Sequence, residues 1–243
     1  MTGKKRSYED YCAAAHALDL VGERWALLVV RELLLGPRRF TDLRAGMPAI
    51  SPNVLTQRLN DMEATGIVKR YRLPRPANAW VYELTAWGKE LEPVVLQLAQ
   101  WGVRSPAFER GKAVSADAMV LSLKAMFLPS AASDATLRIR LTIQAESYLA
   151  CVAGGVLDIM RWPQEGISSD TRPLSAQAEV QADTPALLAL AYGGLDPEAG
   201  QAAGMLRYQG DLGALRRFFS LFRLPPQAQA SHMPAADSSQ GDA

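Results

Sequence analysis

Residues 50–66 read ISPNVLTQRLNDMEATG and carry the signals of a capped, amphipathic helix. Ser51 is suited to the N-cap, Pro52 to the first helical position, and Gly66 to a left-handed stop. At 100° per residue, Leu55, Leu59 and Met62 fall on one side of this helix. The opposite side carries only polar side chains, namely Asn53, Thr56, Gln57 and Asn60. The stretch therefore predicts a helix from residue 51 to about residue 65 with one core face and one amide-rich face.

The neighbours of this helix give it a context. A short helical piece at 40–45 and the breaker Gly46-Met47-Pro48 precede it. After it, residues 67–73 and 79–84 have strand character, with a turn at 74–78 between them. A helix, a turn, a second helix and a hairpin in this order predict a winged helix. Its second helix enters the major groove of DNA, while the wing can reach the adjacent backbone or the minor groove.

The charge distribution supports the same interpretation. The whole chain of 243 residues has a net charge of only +1. The segment from residue 38 to residue 75 nevertheless contains eight Lys or Arg and three Asp or Glu, a net charge of +5. Such a local excess is what a polyanion partner requires, and double-stranded DNA is the partner predicted here. On charge alone, a solvated charged face is an equally good interpretation.

Candidate DNA-contacting residues follow from side-chain chemistry. Asn and Gln carry a donor and an acceptor on one planar group and can pair with an adenine edge, so Asn53, Thr56 and Gln57 are the candidates for base contacts. Ser51, at the start of the helix, belongs to the same predicted surface. The candidates for phosphate contacts are the arginines around it, namely Arg38, Arg39, Arg58, Arg70, Arg72 and Arg75.

Helices are also predicted on both sides of this unit. Ser7 and Asp10 resemble a capping box that opens a helix over residues 8–17, and residues 18–35 have the apolar spacing of a core helix that ends at Gly36-Pro37. A last helix starts near Thr85. It carries an apolar stripe that either folds back on its own domain or forms an isologous dimer surface, made of Leu91, Val94, Val95, Leu98 and Trp101.

Several motifs together resemble the HxlR family of bacterial winged-helix regulators over about residues 8–103. They are residues 12–22, Glu23-Arg24-Trp25, residues 33–40, residues 50–59 and Tyr82-Glu83-Leu84-Thr85. The resemblance implies a homodimer that binds a palindromic or repeated operator, with dimer contacts from the first and last helices. It also implies a thiol or electrophile sensor at the position of Cys12, for which a buried structural cysteine is the alternative.

The second half of the chain predicts a separate α+β domain. Residues 104–114 have the composition of a linker, residues 115–224 form the second domain, and residues 225–243 have the composition of a disordered tail. Residues 137–143 alternate apolar and polar side chains, as in a half-buried strand. Strands are grouped first and helices later, so the predicted fold class of the chain is α+β, with residues 1–103 as the DNA-binding and dimerisation domain.

Residues 180–190, 206–212 and 215–222 resemble the sterol carrier protein type 2 (SCP2)-like fold. The resemblance extends over residues 115–224 and depends mainly on the last 45. It implies a sheet and helices around an apolar cavity that binds a lipid or another hydrophobic small molecule. The candidates to line the cavity are Leu187, Leu188, Phe218, Phe219 and Phe222, for each of which ordinary core packing is the alternative.

Composition and missing motifs narrow the function further. The two cysteines, Cys12 and Cys151, are far apart and give no disulfide framework or zinc site, and no apolar run approaches the roughly 18 residues that span a membrane. A cytoplasmic protein without metal or cofactor is expected. Two histidines and no hydrolase, metalloprotease or nucleotide-binding motif argue against an enzyme. The sequence thus predicts a dimeric regulator modulated by a hydrophobic effector, with a thiol sensor at Cys12 or a lipid carrier as alternatives.

Overall fold

The computed structural model describes residues 7–75, 77–109, 114–162 and 175–229. Its first half is a helical unit with a two-stranded hairpin. The elements of this half follow in the order α1 (Ala13–Val21), α2 (Ala26–Leu33), α3 (Phe40–Gly46), α4 (Pro52–Ala64), β1 (Val68–Arg72), β2 (Trp80–Leu84), α5 (Ala86–Lys89) and α6 (Glu92–Gly102).

The first two helices differ from their predicted bounds. Helix α1 begins at Ala13, because Ser7 does not cap a helix and instead donates a hydrogen bond to Asp19, 3.0 Å away. The predicted helix 18–35 is divided, since α1 continues to Val21 and α2 starts only at Ala26. Trp25 lies between them with a φ of 78°, a left-handed conformation that interrupts a helix.

Helix α4 forms as its sequence predicts. Ser51 Oγ accepts a hydrogen bond from the backbone N–H of Val54 at 3.3 Å, and Gly66 follows the helix with a φ of 74°. Leu55 and Leu59 are fully buried in the core that α2, α3 and α4 share. The antiparallel hairpin of β1 and β2 follows, so the first half is a winged helix.

The predicted helix after Thr85 is two helices. Thr85 caps α5 through Gly88 N–H, and α6 starts at Glu92 with Pro93 in its first turn. Proline has no N–H to continue the hydrogen-bond ladder of a preceding helix, which explains a new start at this point.

The second half is a five-stranded sheet with helices. Its elements are α7 (Ala116–Ala125), a short 3-10 helix (Pro129–Ala132), β3 (Thr136–Ile143), β4 (Glu146–Ala153), β5 (Val156–Arg161), β6 (Ala178–Ala182), α8 (Thr184–Tyr192), α9 (Pro197–Ala202), β7 (Leu206–Gly210) and α10 (Leu212–Phe219). The strand order is β5-β4-β3-β6-β7, with β3 and β6 parallel and the other neighbours antiparallel. The α+β class is confirmed.

The two halves contact each other along α7. This helix contacts α2 and α6 of the first half and α8 and β5 of the second half. Gln100 on α6 donates a hydrogen bond to the carbonyl of Ala125 at 2.6 Å, and Leu35 belongs to the same core cluster as the sheet. Helix α7 therefore belongs structurally to both halves.

Part of the predicted tail is ordered against the first half. The N–H of Ala228 donates to the carbonyl of Arg104 at 2.8 Å, and Arg104 Nε donates to the carbonyl of Pro226 at 3.3 Å. Residues 230–243 of the predicted tail and residues 110–113 of the predicted linker lie outside the described residues. Among the residues that are described, no helix has the length and apolar character needed to cross a membrane.

Candidate nucleic-acid interface

The exposed side of α4 is polar throughout its first two turns. Asn53, Thr56, Gln57 and Asn60 are all exposed, whereas Leu55 and Leu59 on the other side are completely buried. Thr56 Oγ1 donates to the carbonyl of Pro52 at 2.9 Å, which fixes its rotamer. The helix thus presents the amide side chains of Asn53, Gln57 and Asn60 to solvent on a rigid base, as direct readout of base edges requires.

The hairpin of β1 and β2 carries cations and aromatic rings together. Arg70 lies across from Tyr82 in the strand register, and its guanidinium is 4.7 Å from the ring centroid of Trp80 and 5.7 Å from that of Tyr82. Stacking on two rings limits the rotamers of Arg70. Arg72 and Arg75, at the end of β1 and in the turn, are exposed. We call this hairpin with its turn, residues 68–84, the wing.

Lys69 differs from the arginines of the wing. Its ammonium group forms an ion pair of 2.9 Å with Glu83, its partner in the strand register. Burial raises the pKa of Glu83, but the hydrogen bond and the charge of Lys69 outweigh this effect and keep the pKa below its ordinary value. Lys69 therefore neutralises a carboxylate of the wing.

Three other predicted residues lie around α4. Ser51 is exposed but uses its hydroxyl oxygen as the helix cap. Arg39 is exposed at the start of α3. Arg58 is half-buried, and its guanidinium lies 3.3 Å from Asp61 and 3.9 Å from Glu23. No observation of the described chain tests which of these side chains contact DNA, so their roles stay predictions.

Arg38, also a predicted phosphate contact, lies in a different environment. Its side chain is 13% exposed, and its Nε donates to the fully buried Asp117 at 3.1 Å. Its Nη1 donates to Glu146 at 2.9 Å. Burial lowers the pKa of Arg38, but the charge of Asp117 and the hydrogen bond to Glu146 raise it above its ordinary value. The donors of Arg38 thus serve the second half of the protein.

The partners of Arg38 were not predicted from the sequence. Arg161 donates to both carboxylate oxygens of Asp117, at 2.8 and 2.9 Å, and to Glu146 at 2.7 Å. Tyr148 donates its hydroxyl to Asp117 at 2.6 Å. We call Arg38, Asp117, Glu146, Tyr148 and Arg161 the ion cluster. One signal was present in the sequence, because Asp117 is the single carboxylate in a mostly apolar helical run.

Apolar side chains remain exposed on α1 and α6. On α6 they are Val94, Leu98 and Trp101, the last with 75% of its surface exposed. Leu18 of α1 is 49% exposed. Leu91 and Val95 of the predicted stripe instead pack against the core of the first half. The stripe therefore divides into a core side and an exposed side.

Cys12 is the N-cap residue of α1 and is exposed. The nearby backbone N–H groups of Ala15 and Ala14 lower the pKa of its thiol. Within the single chain, the thiol is therefore not part of a hydrophobic core. The stabilising groups are helical N–H donors, which a search for neighbouring cations in the sequence does not detect.

The second half has a surface groove of about 740 Å³ beside α8 and α10. Leu190, Leu195, Phe219 and Phe222 line it, together with the ion pair of Arg216 and Asp196, whose atoms are 2.7 Å apart. Of the five predicted lining residues, Phe219 and Phe222 reach the groove. The other three, Leu187, Leu188 and Phe218, pack in the core, which was the alternative interpretation.

Comparison with known proteins supports a helix-turn-helix fold for the first half. The family model described as HxlR-like helix-turn-helix matches residues 20–107. The uncharacterized HTH-type transcriptional regulator YvaP of Bacillus subtilis is 36% identical over 94 residues, which cover 38% of this chain and 87% of the relative. The chain belongs to the HxlR-like helix-turn-helix family. The HxlR-like match ends at residue 107, so the second half lies outside it.

Two further proteins similar to the first half are described as regulators. The HTH-type transcriptional regulator YodB of Bacillus subtilis is 35% identical over 85 residues, covering 35% of this chain and 76% of the relative. The solved structure described as redox regulator HypR in its oxidized form has 35% identity and a TM-score of 0.36, covering 37% of this chain and 94% of that chain. Curated HxlR-like relatives of this chain are thus described as transcriptional regulators.

Proposed function

We propose that the protein is a transcriptional regulator that binds double-stranded operator DNA through α4 and the wing. The observation that carries this proposal is the exposed amide face of α4 next to a basic, aromatic-rich wing in an HxlR-like chain. In this proposal Asn53, Thr56 and Gln57 read bases. Phosphates are contacted by Arg39, Arg58, Arg70, Arg72 and Arg75. Ser51 holds the start of the helix against the DNA backbone.

The regulator acts as a homodimer in this proposal. The exposed apolar side chains of α1 and α6 favour an isologous interface, in which the same surface of each copy meets the other. A dimer doubles the number of phosphate contacts and places two copies of α4 on successive turns of DNA. Its operator is therefore a palindrome or an inverted repeat.

A hydrophobic small molecule in the second half modulates DNA binding. The groove beside α8 and α10 supports this, because Leu190, Leu195 and Phe222 offer apolar surface and the Arg216–Asp196 pair offers polar contacts. The groove suits an amphipathic ligand better than a wholly apolar one. This assignment extends the proposed SCP2-like character of residues 115–224.

The first experiment is fluorescence anisotropy with the full chain and its own upstream intergenic DNA. A scrambled duplex of equal length is the control, and both are titrated at two salt concentrations with and without extracted cellular lipids. We expect a preference for the upstream DNA, a strong salt dependence, and an affinity change on adding lipids of about 5–150-fold, as is typical of coupled sites. Equal weak binding to both duplexes would overturn the proposal.

A lipid carrier predicts a different result in the same titration. A carrier binds lipid while the affinity for DNA stays constant, whereas coupling between two sites must change both affinities by the same factor. Lipid binding by the groove without any change in anisotropy would therefore favour the carrier.

Thiol sensing at Cys12 is a second candidate for the regulatory signal. The exposure of Cys12 and its lowered thiol pKa favour it, because the thiolate is the reactive form. We expect Cys12→Ser to abolish the response of DNA binding to an oxidant such as diamide, with Cys151→Ser as the matched control. An unchanged oxidant response in Cys12→Ser would exclude this candidate.

A further inference from the structure

The start of α7 is fixed to the first half by two polar contacts. Ser115 Oγ donates to the buried Glu32 of α2 at 2.9 Å while accepting the N–H of Ala118. Two residues later, Asp117 accepts the hydrogen bonds of Arg38. Both partners of α7 belong to the helix-turn-helix part of the chain, so this end of α7 is anchored on the proposed DNA-binding unit.

The ion cluster is electrically balanced. It contains the two guanidinium groups of Arg38 and Arg161 and the two carboxylates of Asp117 and Glu146. Burial and the charge of Asp117 raise the pKa of Tyr148, whose hydroxyl therefore stays a donor. Buried charges are tolerated when they are paired and hydrogen-bonded, and removal of one partner leaves the others uncompensated. The members of the cluster are thus interdependent.

The backbone of Arg38 pairs with the wing. Its N–H donates to the carbonyl of Tyr82 at 2.9 Å, and the N–H of Tyr82 donates to the carbonyl of Arg38 at 2.8 Å. Tyr82 lies on β2, and its ring contacts the guanidinium of Arg70. The next residue, Arg39, is the N-cap of α3. The backbone of Arg38 therefore contacts the wing and leads into α3. Its side chain contacts the second half.

We propose that Arg38 is a positioning residue through which Asp117 and Glu146 hold the wing and α3 in the orientation that binds DNA. The second half contributes to DNA affinity in this way without touching DNA. The inference rests on the proposed function, since it names the contact that couples the second half to the DNA-binding surface. A ligand that moves β4 or α7 acts on the wing through this contact.

The test compares salt dependence in full-length variants. Arg38→Gln and Glu146→Gln are each expected to lower operator affinity about fivefold or more, the lower range for coupled sites. The slope of log affinity against log salt stays at its wild-type value, because no phosphate contact is lost. If Arg38 instead contacts a phosphate directly, Arg38→Gln lowers the slope by about 0.9. Glu146→Gln then keeps wild-type affinity. That pair of results would overturn the proposal.

The matched control is Arg140→Gln. Arg140 forms an ion pair of 2.8 Å with Glu179 in the same sheet, and among the described residues it makes no hydrogen bond or ion pair with the wing. We expect wild-type operator affinity for this variant. The double variant of Arg38→Gln and Glu146→Gln is expected to lose no more affinity than Arg38→Gln alone, because both changes break one connection. Additive losses would contradict the proposal.

Hydrogen exchange in the absence of DNA separates this inference from the proposed function. Arg38→Gln and Glu146→Gln are expected to speed exchange of the Tyr82 N–H, which bonds to the backbone of Arg38, whereas Arg140→Gln leaves it unchanged. Unchanged exchange in the first two variants would overturn the inference even if the wild-type protein binds its operator. If exchange is faster but the protein shows no operator preference, Arg38 still positions the wing. In that case only the proposal that the wing binds operator DNA is overturned.

Discussion

Arg38 and Arg72 lie in one basic segment of the sequence but in opposite environments. Arg38 is nearly buried and donates to Asp117 and Glu146, which are 79 and 108 positions away along the chain. Arg72 is exposed at the end of β1. One arginine is occupied by carboxylates of the second half, and the other is accessible to a large anion. Local charge therefore predicts a polyanion partner, but it does not tell which arginine meets that partner.

The largest expected effect is on stability. Asp117→Ala leaves Arg38, Arg161 and the hydroxyl of Tyr148 without their shared acceptor, and loss of one partner from a buried ion pair costs about 3–5 kcal/mol. We expect urea denaturation followed by circular dichroism to show a loss of this size in the free energy of unfolding.

Asp134→Ala is the control for this variant. Asp134 also pairs with an arginine, Arg217, but 82% of its side chain is exposed. Exposed ion pairs contribute little, so its unfolding curve is expected to match that of the wild type. If the two variants have the same free energy of unfolding, the buried contacts of Asp117 stabilise the fold no more than the exposed pair of Asp134 and Arg217.

An intermediate effect is expected on sequence preference. Gln57→Ala removes an exposed amide from α4 and does not affect the buried side of the helix. If Gln57 reads a base, discrimination at one operator position falls by about 1–3 kcal/mol, while the unfolding curve stays the same. Binding to a set of operators with single base changes measures this, and unchanged preference at every position would remove Gln57 from the proposed contacts.

The smallest expected effect is at the wing. Arg72→Ala weakens binding to operator and scrambled DNA alike and lowers the salt slope by about 0.9, the value for one phosphate contact. Anisotropy titrations over a series of salt concentrations measure the slope. An unchanged slope would place the wing away from the DNA. Arg72 would then contact phosphate no more than Arg38 does.

Local signals in the sequence predicted much of the first half. The cap, the proline and the apolar spacing of α4 act within a few residues, so they predicted this helix and its exposed face correctly. The break at Trp25 was missed, because a left-handed residue in an apolar run has no local signal comparable to Gly or Pro. The late start of α1 was missed for a related reason, since Ser7 bonds to Asp19 in place of its own helix.

In the second half, the strands were predictable one by one but their partners were not. The alternation in residues 137–143 indicates β3. Its parallel pairing with β6, by contrast, joins residues about 40 positions apart and depends on how the helices cover the sheet. The groove illustrates the same limit. Phe218 and Phe219 are adjacent in the sequence, yet only Phe219 reaches the groove, because neighbouring helical side chains point in different directions.

The sequence by itself determined the winged helix, its amide-rich α4, the basic segment and the α+β class, because these depend on capping, periodicity and charge within short stretches. Tertiary structure alone decided that α7 joins the two halves and that Arg38 pairs with Asp117 and Glu146. The physical reason is that a buried charge must be neutralised by whatever group the fold brings within hydrogen-bond distance. That group is set by the packing of distant elements and not by neighbours in the chain.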